Sequence, residues 1–195
     1  MRMMNRHRPG SSRDAGFALV EVLSAVLLIS VTAASVTDLY LTGSRSVQHA
    51  RVETAATIAA TQKMEQLLGL AWAVDPATPG SSTVDLTTDL STDPSGPGGA
   101  GLGASPAGAL HANTPGFVDF LDARGQWVGA GAAPTAEAVL VRRWRVDSLP
   151  GTSGRLVALH VFVTAVARPG SPNDAAQVRY PADVLLTTIR ARKAF

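Results

Sequence analysis

The 195-residue chain contains no cysteine. That absence excludes a disulfide framework, a thiolate metal site and a cysteine nucleophile, and it leaves the compartment open. Charge is scarce too: Asp, Glu, Lys and Arg supply 16% of the residues, against 46% that are hydrophobic. Between residues 17 and 37 there is neither proline nor glycine, and Glu21 is the one carboxylate. No internal repeat is visible. His7, His49, His111 and His160 are scattered without ligand spacing. Nothing arranges Ser, His and Asp as a triad. The pattern gives no footing for an enzyme or for a cofactor site.

The pI near 9.5 invites a nucleic-acid reading, but the basicity is local. Residues 1–16 hold Arg2, Arg6, Arg8 and Arg13 against Asp14 alone. Without them the chain is close to neutral. Cationic flanks of this kind stay on the cytoplasmic side of a membrane. Arg142, Arg143 and Arg145 form a small cluster better read as a solvated strand face or a contact between subunits than as a DNA site.

Residues 1–16 read as a polar, basic leader ending in glycine. Residues 17–40 are apolar, and about 20 helical residues suffice to cross about 30 Å of hydrocarbon. The helical pattern continues through residues 41–74, now one-sided, with Val47, Ala50, Thr54, Ile58, Met64, Leu68 and Ala71 on the apolar stripe and Lys63 off it. Asp75-Pro76 is the expected stop, because the residue before proline avoids the helical region. Gly43 and Gly69 are weak points within the helix, each costing about 1 kcal/mol relative to alanine.

Residues 75–116 are rich in Gly, Pro, Ser, Thr and Asp and read as a long surface loop with a short turn or strand near 84–90. Asp85, Asp89 and Asp93 lack the alternation of a calcium loop. Residues 117–195 read as an antiparallel sheet of about four strands. Segments 117–121 and 126–128 flank a turn at Asp122-Ala-Arg-Gly125; strands follow at 138–148, 156–167 and 184–190. The fold class expected is α+β: a long N-terminal helix whose amphipathic half covers the sheet, with Trp72, Trp127 and Trp144 at core or rim.

The stretch GFALVE, Gly16 to Glu21, sits after a basic leader and opens an apolar helix. It resembles the processing motif of type IV prepilins and the related type II secretion pseudopilins. The resemblance implies a cut after Gly16 by a prepilin peptidase, N-methylation of Phe17, and an assembly role for Glu21 as the fifth residue of the processed chain. It implies partners as well: other pilin or pseudopilin subunits, an inner-membrane assembly platform and the lipid bilayer. The chain would cross the inner membrane once, with its C-terminal part outside the cytoplasm until assembly into a pilus or pseudopilus.

TQKMEQLLGLAW is similar to minor pilins of the pilus-modification (V-type) group and to I-type pseudopilins. Asp38 stands where many major pilins carry proline, and no disulfide closes a C-terminal loop. Both departures favour a minor pilin that primes, caps or modifies a pilus; DNA binding, known in some minor pilins, has no support of its own here. The alternatives are a minor pseudopilin of a type II secretion system, or a secreted binding domain cut by ordinary signal peptidase near Ala33 and Ala34.

Overall fold

The computed structural model describes residues 12–74, 82–152, 154–166 and 183–192, with residues 12–18 and Ser82 described by backbone alone. Of the leader expected at residues 1–16, residues 1–11 lie outside them. By internal contacts the chain divides into two units, Met1–Gln48 and His49–Phe195.

A single helix, α1 (Ser12–Gly69), runs through the first unit and into the second. Within the first unit its surface is apolar and open to the surroundings: Leu23, Leu27, Leu28 and Ile29 are all more than half exposed. The hydroxyls on this stretch turn inward to the helix. Ser24 donates to the Glu21 carbonyl, Ser30 to Val26, Thr32 to Leu28, Ser35 to Val31 and Thr37 to Ala33, at 2.8–3.0 Å. Such back-bonding leaves no side-chain hydroxyl of residues 17–37 in need of water. α1 is long and apolar enough to cross a membrane, with a mean hydropathy of 2.2 over its most apolar window and none of that window buried.

In the second unit α1 is packed. The buried face is Ala56, Ala59, Ala60, Lys63, Met64 and Leu67, at helical spacing of three and four. The stripe read from sequence was rotated from this one. Ile58 and Val47 are more than half exposed, whereas Lys63, placed off the stripe, is 1% exposed. The physical reason lies in the contact: alanines bring a helix close to its partner, and the separation of packed elements follows the size of the side chains between them. α1 also ends at Gly69 rather than at residue 74, because the chain turns there into a strand. Strand β1 (Trp72–Val74) pairs antiparallel with β2 (Ser82–Val84), and Trp72 is buried in the core.

The Gly/Pro-rich segment carries more order than its composition predicts. β3 (Thr88–Asp89) pairs with β4 (Gly96–Pro97), and Leu90, Leu102 and Ala109 enter the core. Close backbone approach makes this possible: a Cβ at Gly101, which has φ +51°, would lie 2.3 Å from the Asp85 carbonyl oxygen. The rest is a five-stranded antiparallel sheet in the order β6-β5-β7-β8-β9. Its strands are β5 (Val118–Leu121), β6 (Trp127–Ala130), β7 (Leu140–Ser148), β8 (Leu156–Ala165) and β9 (Val184–Ala191). β5 and β6 form the expected hairpin. Asp122 Oδ1 accepts from the Arg124 and Gln126 amides, and Gly125 takes φ +80° at the turn.

Strand alternation sorts the sheet into two faces. Leu140, Trp144, Val146, Val157, Leu159, Val161 and Val163 join the α1 alanines in the main core. Val118, Phe120, Ala138 and Val141 form a smaller cluster apart from it. β5 is therefore buried on both faces, which explains its almost wholly apolar sequence.

Adding bulk on the alanine face should cost more than removing it from the exposed one. Ala59→Leu is expected to destabilise by about 1–3 kcal/mol, while Ile58→Ala stays within about 0.5 kcal/mol. Denaturant unfolding of the full chain in detergent measures both; equal effects would contradict the helix face described.

Candidate functional site

Two places concentrate charge in unusual surroundings. The first is the start of α1. Gly16 and Phe17 lie in the helix by their backbone, and their side chains lie outside the described ones. Glu21 is exposed among exposed apolar neighbours, with Leu19, Val20 and Val22 each above 60% exposure. Among the described residues no cation forms a salt bridge with it. By its helical spacing Glu21 stands one turn from Phe17.

The second place is the interior of the sheet unit. Asp119 on β5 and Arg142 on β7 are register partners, so their side chains meet on the same face. Arg142 grips the carboxylate with two bonds, Nε to Oδ1 at 2.9 Å and Nη2 to Oδ2 at 2.7 Å. Its Nη1 donates to the Ala59 carbonyl of α1 at 2.9 Å. From the helix, Lys63 Nζ reaches Asp119 Oδ2 at 2.9 Å and donates to the Leu90 carbonyl at 2.6 Å. The ammonium also sits 4.4 Å from the centre of the Trp144 ring.

Side-chain exposure is 1% for both Lys63 and Asp119 and 6% for Arg142. Two cations thus share one anion in a dry site. Burial is the largest influence on Lys63 and pulls its pKa from 10.5 down to about 8; Asp119 opposes that pull and Arg142 adds to it.

This corrects the reading of the arginine cluster. Arg142 faces the core, not solvent. Arg143 and Arg145 point to the other face, where Arg143 holds the Asn113 side-chain oxygen and Arg145 pairs with Asp147 at 2.8 Å. His160 bonds Thr187 through Nδ1 at 3.0 Å, and its Nε2 lies 3.7 Å from Asp147.

In the Gly/Pro-rich segment the aspartates organise turns. Asp85 accepts from the Thr87 and Thr88 amides and the Thr88 hydroxyl, and the hydroxyl leads the influences holding its carboxyl below the usual range. Asp89 accepts from the Ser91 amide and hydroxyl. Trp72 and Trp144 are core residues; Trp127 is half-buried and donates its Nε1 to the Ser91 carbonyl at 2.9 Å. Beside Trp127 and Arg142 opens a groove of about 480 Å³, lined also by Gln62, Glu65, Gln66 and Asp93.

Sequence reasoning missed Lys63 and Asp119. Signals for both existed. Asp119 stands alone between Val118 and Phe120, and Lys63 is in helical phase with Ala56, Ala59, Ala60 and Leu67. A lone charge inside each apolar pattern pointed to a buried pair.

No family model, curated protein or solved structure matches the chain.

The three charges make unequal contributions. Asp119→Asn leaves two buried cations without an anion and should destabilise by about 3–5 kcal/mol. Lys63→Met leaves the two-bond Asp119–Arg142 pair intact and nearly neutral, so its cost should be clearly smaller. The Lys63 penalty also sets a pH dependence. Its folded pKa lies below the unfolded one, so the unfolded chain binds the extra proton between about pH 8 and 10.5. Stability relative to Lys63→Met should therefore rise with pH across that window. Denaturant midpoints of both chains at pH 7.5, 9 and 10.5 check it; a relative fall with pH would contradict the assignment.

Proposed function

We propose that this chain is a minor subunit of a type IV pilus, a structural protein assembled through its N-terminal helix after removal of a leader. The observation that carries the reading is the apolar, exposed stretch of α1 over residues 19–37, in which Glu21 is the one carboxylate. A carboxylate in hydrocarbon costs about 2.5–3.5 kcal/mol on insertion scales. That cost is tolerable if a partner charge arrives.

Cleavage after Gly16 would supply one. It creates an ammonium at Phe17, which a neighbouring subunit's Glu21 can pair with while the apolar helices lie side by side. A buried pair of this kind adds little stability but fixes axial register. The inward-turned hydroxyls of Ser24, Ser30, Thr32, Ser35 and Thr37 are compatible with that environment, as Thr54, Thr57 and Thr61 make the same bonds further along α1. In this reading residues 1–16 stay cytoplasmic until processing, and the sheet unit lies beyond the membrane.

The mass of the N-terminal peptide recovered from the native envelope tests the pathway. A chain beginning at Phe17 and heavier by one methyl group is expected; a chain beginning near Ser35 would replace this reading with a secreted domain. Replacing Gly16 by a bulky residue should block cleavage. Glu21→Ala should leave processing and insertion intact but deplete the protein from sheared fibres, and normal incorporation would sink the charge-pairing step.

A further inference from the structure

The groove beside the buried charges has a lining that the assembly reading does not use. It combines three kinds of group. Arg142, nearly buried, is part of its lining. Of the five N–H groups of that guanidinium, the bonds to Asp119 and Ala59 occupy three, leaving one on each Nη for an acceptor. Glu65 and Asp93, both exposed, supply carboxylate acceptors, and Gln62 and Gln66 supply amides that donate and accept. Trp127 has its one polar atom engaged with the Ser91 carbonyl, so what it offers a ligand is the apolar ring.

A ligand complementary to this set must present donors and acceptors close together and an apolar face. We infer that the groove binds a neutral saccharide, with a sugar ring lying against Trp127 and its hydroxyls shared among Arg142, Glu65, Asp93 and the two glutamines. Each sugar hydroxyl donates once and accepts twice, which suits both the guanidinium and the carboxylates. The C–H face of the ring suits the indole.

An anionic ligand suits the groove less well. Glu65 and Asp93 share the lining with Arg142, and Asp119 already accompanies that cation. A cationic ligand would meet Glu65 and Asp93 but would give up its hydration beside Arg142. A neutral, polyhydroxylated ligand avoids both costs. The volume, about 480 Å³, is in the range of small-molecule sites, and the groove opens to the surface, so an internal unit of a longer glycan can enter.

The test is calorimetric titration of the full chain in micelles of a detergent without a sugar headgroup. The probes are cellotriose, maltotriose and chitotriose, with glycylglycine and arginine as charged comparators. Saturable binding of at least one trisaccharide is expected. Gln62→Ala and Glu65→Gln, exposed positions that leave the core untouched, should each weaken it about tenfold. Trp127→Ala should abolish it with the thermal transition retained.

Absence of saturable binding by all three sugars overturns the inference. So does sugar binding that survives the Gln62 and Glu65 variants unchanged, since the site would then lie elsewhere. Binding of glycylglycine or arginine with no sugar binding overturns the ligand class. The N-terminal mass and fibre assays are independent of all these outcomes.

Discussion

Asp119 is the constraint on which the sheet unit rests. Its carboxylate is held from β7 by Arg142, its register partner, and from α1 by Lys63. A slip of one residue between β5 and β7 would carry Asp119 or Arg142 to the opposite face and leave a buried charge alone. A rotation of α1 would do the same to Lys63. Isolated charges in a dry interior cost several kcal/mol each, so the competing packings are penalised more heavily than the native one is rewarded. The surplus positive charge is softened by the Trp144 ring and by two carbonyls, Leu90 and Ala59, that accept from Lys63 and Arg142 respectively. The interaction therefore sets which face of the helix meets which face of the sheet.

How much of this was legible in the sequence follows from the same chemistry. The helix, the hairpin at Asp122 and the long strands were readable, because period and turn chemistry are local properties. The buried face of α1 was not. An apolar-stripe argument gives weight to Ile58 and Leu68 and discounts alanine and lysine. Here the packed face is built from alanines with a lysine among them, since the bulk comes from Trp144 and its neighbours across the contact. Hydrophobicity alone cannot distinguish a small residue chosen for close approach from one that is merely tolerated.

The Gly/Pro-rich segment was misjudged for a related reason. Its composition lacks period, and lack of period reads as loop. The order comes instead from aspartates that bond the backbone two and three residues on, and from glycines that let strands pass closely. Leu90 shows the consequence. It is one of few large apolar residues there, it is buried, and its carbonyl receives the Lys63 ammonium. A segment that looks like filler completes the hydrogen bonding of the central cluster.

The two parts of α1 differ in how they meet charge rather than hydroxyls, since Thr54, Thr57 and Thr61 bond back to the helix as the hydroxyls before them do. In the packed part, Lys63 finds its counter-charge within the chain, on a strand 56 residues further on. In the apolar part, hydroxyls are satisfied by the helix's own carbonyls, and Glu21 and Asp38 are carboxylates without a salt-bridge partner among the described residues. A carboxylate cannot be satisfied by helix carbonyls, which are acceptors like itself. In water that would not matter. In hydrocarbon its ionised form gains from a donor or cation brought by a neighbouring chain, and in this way the proposed membrane position would favour the proposed subunit contact.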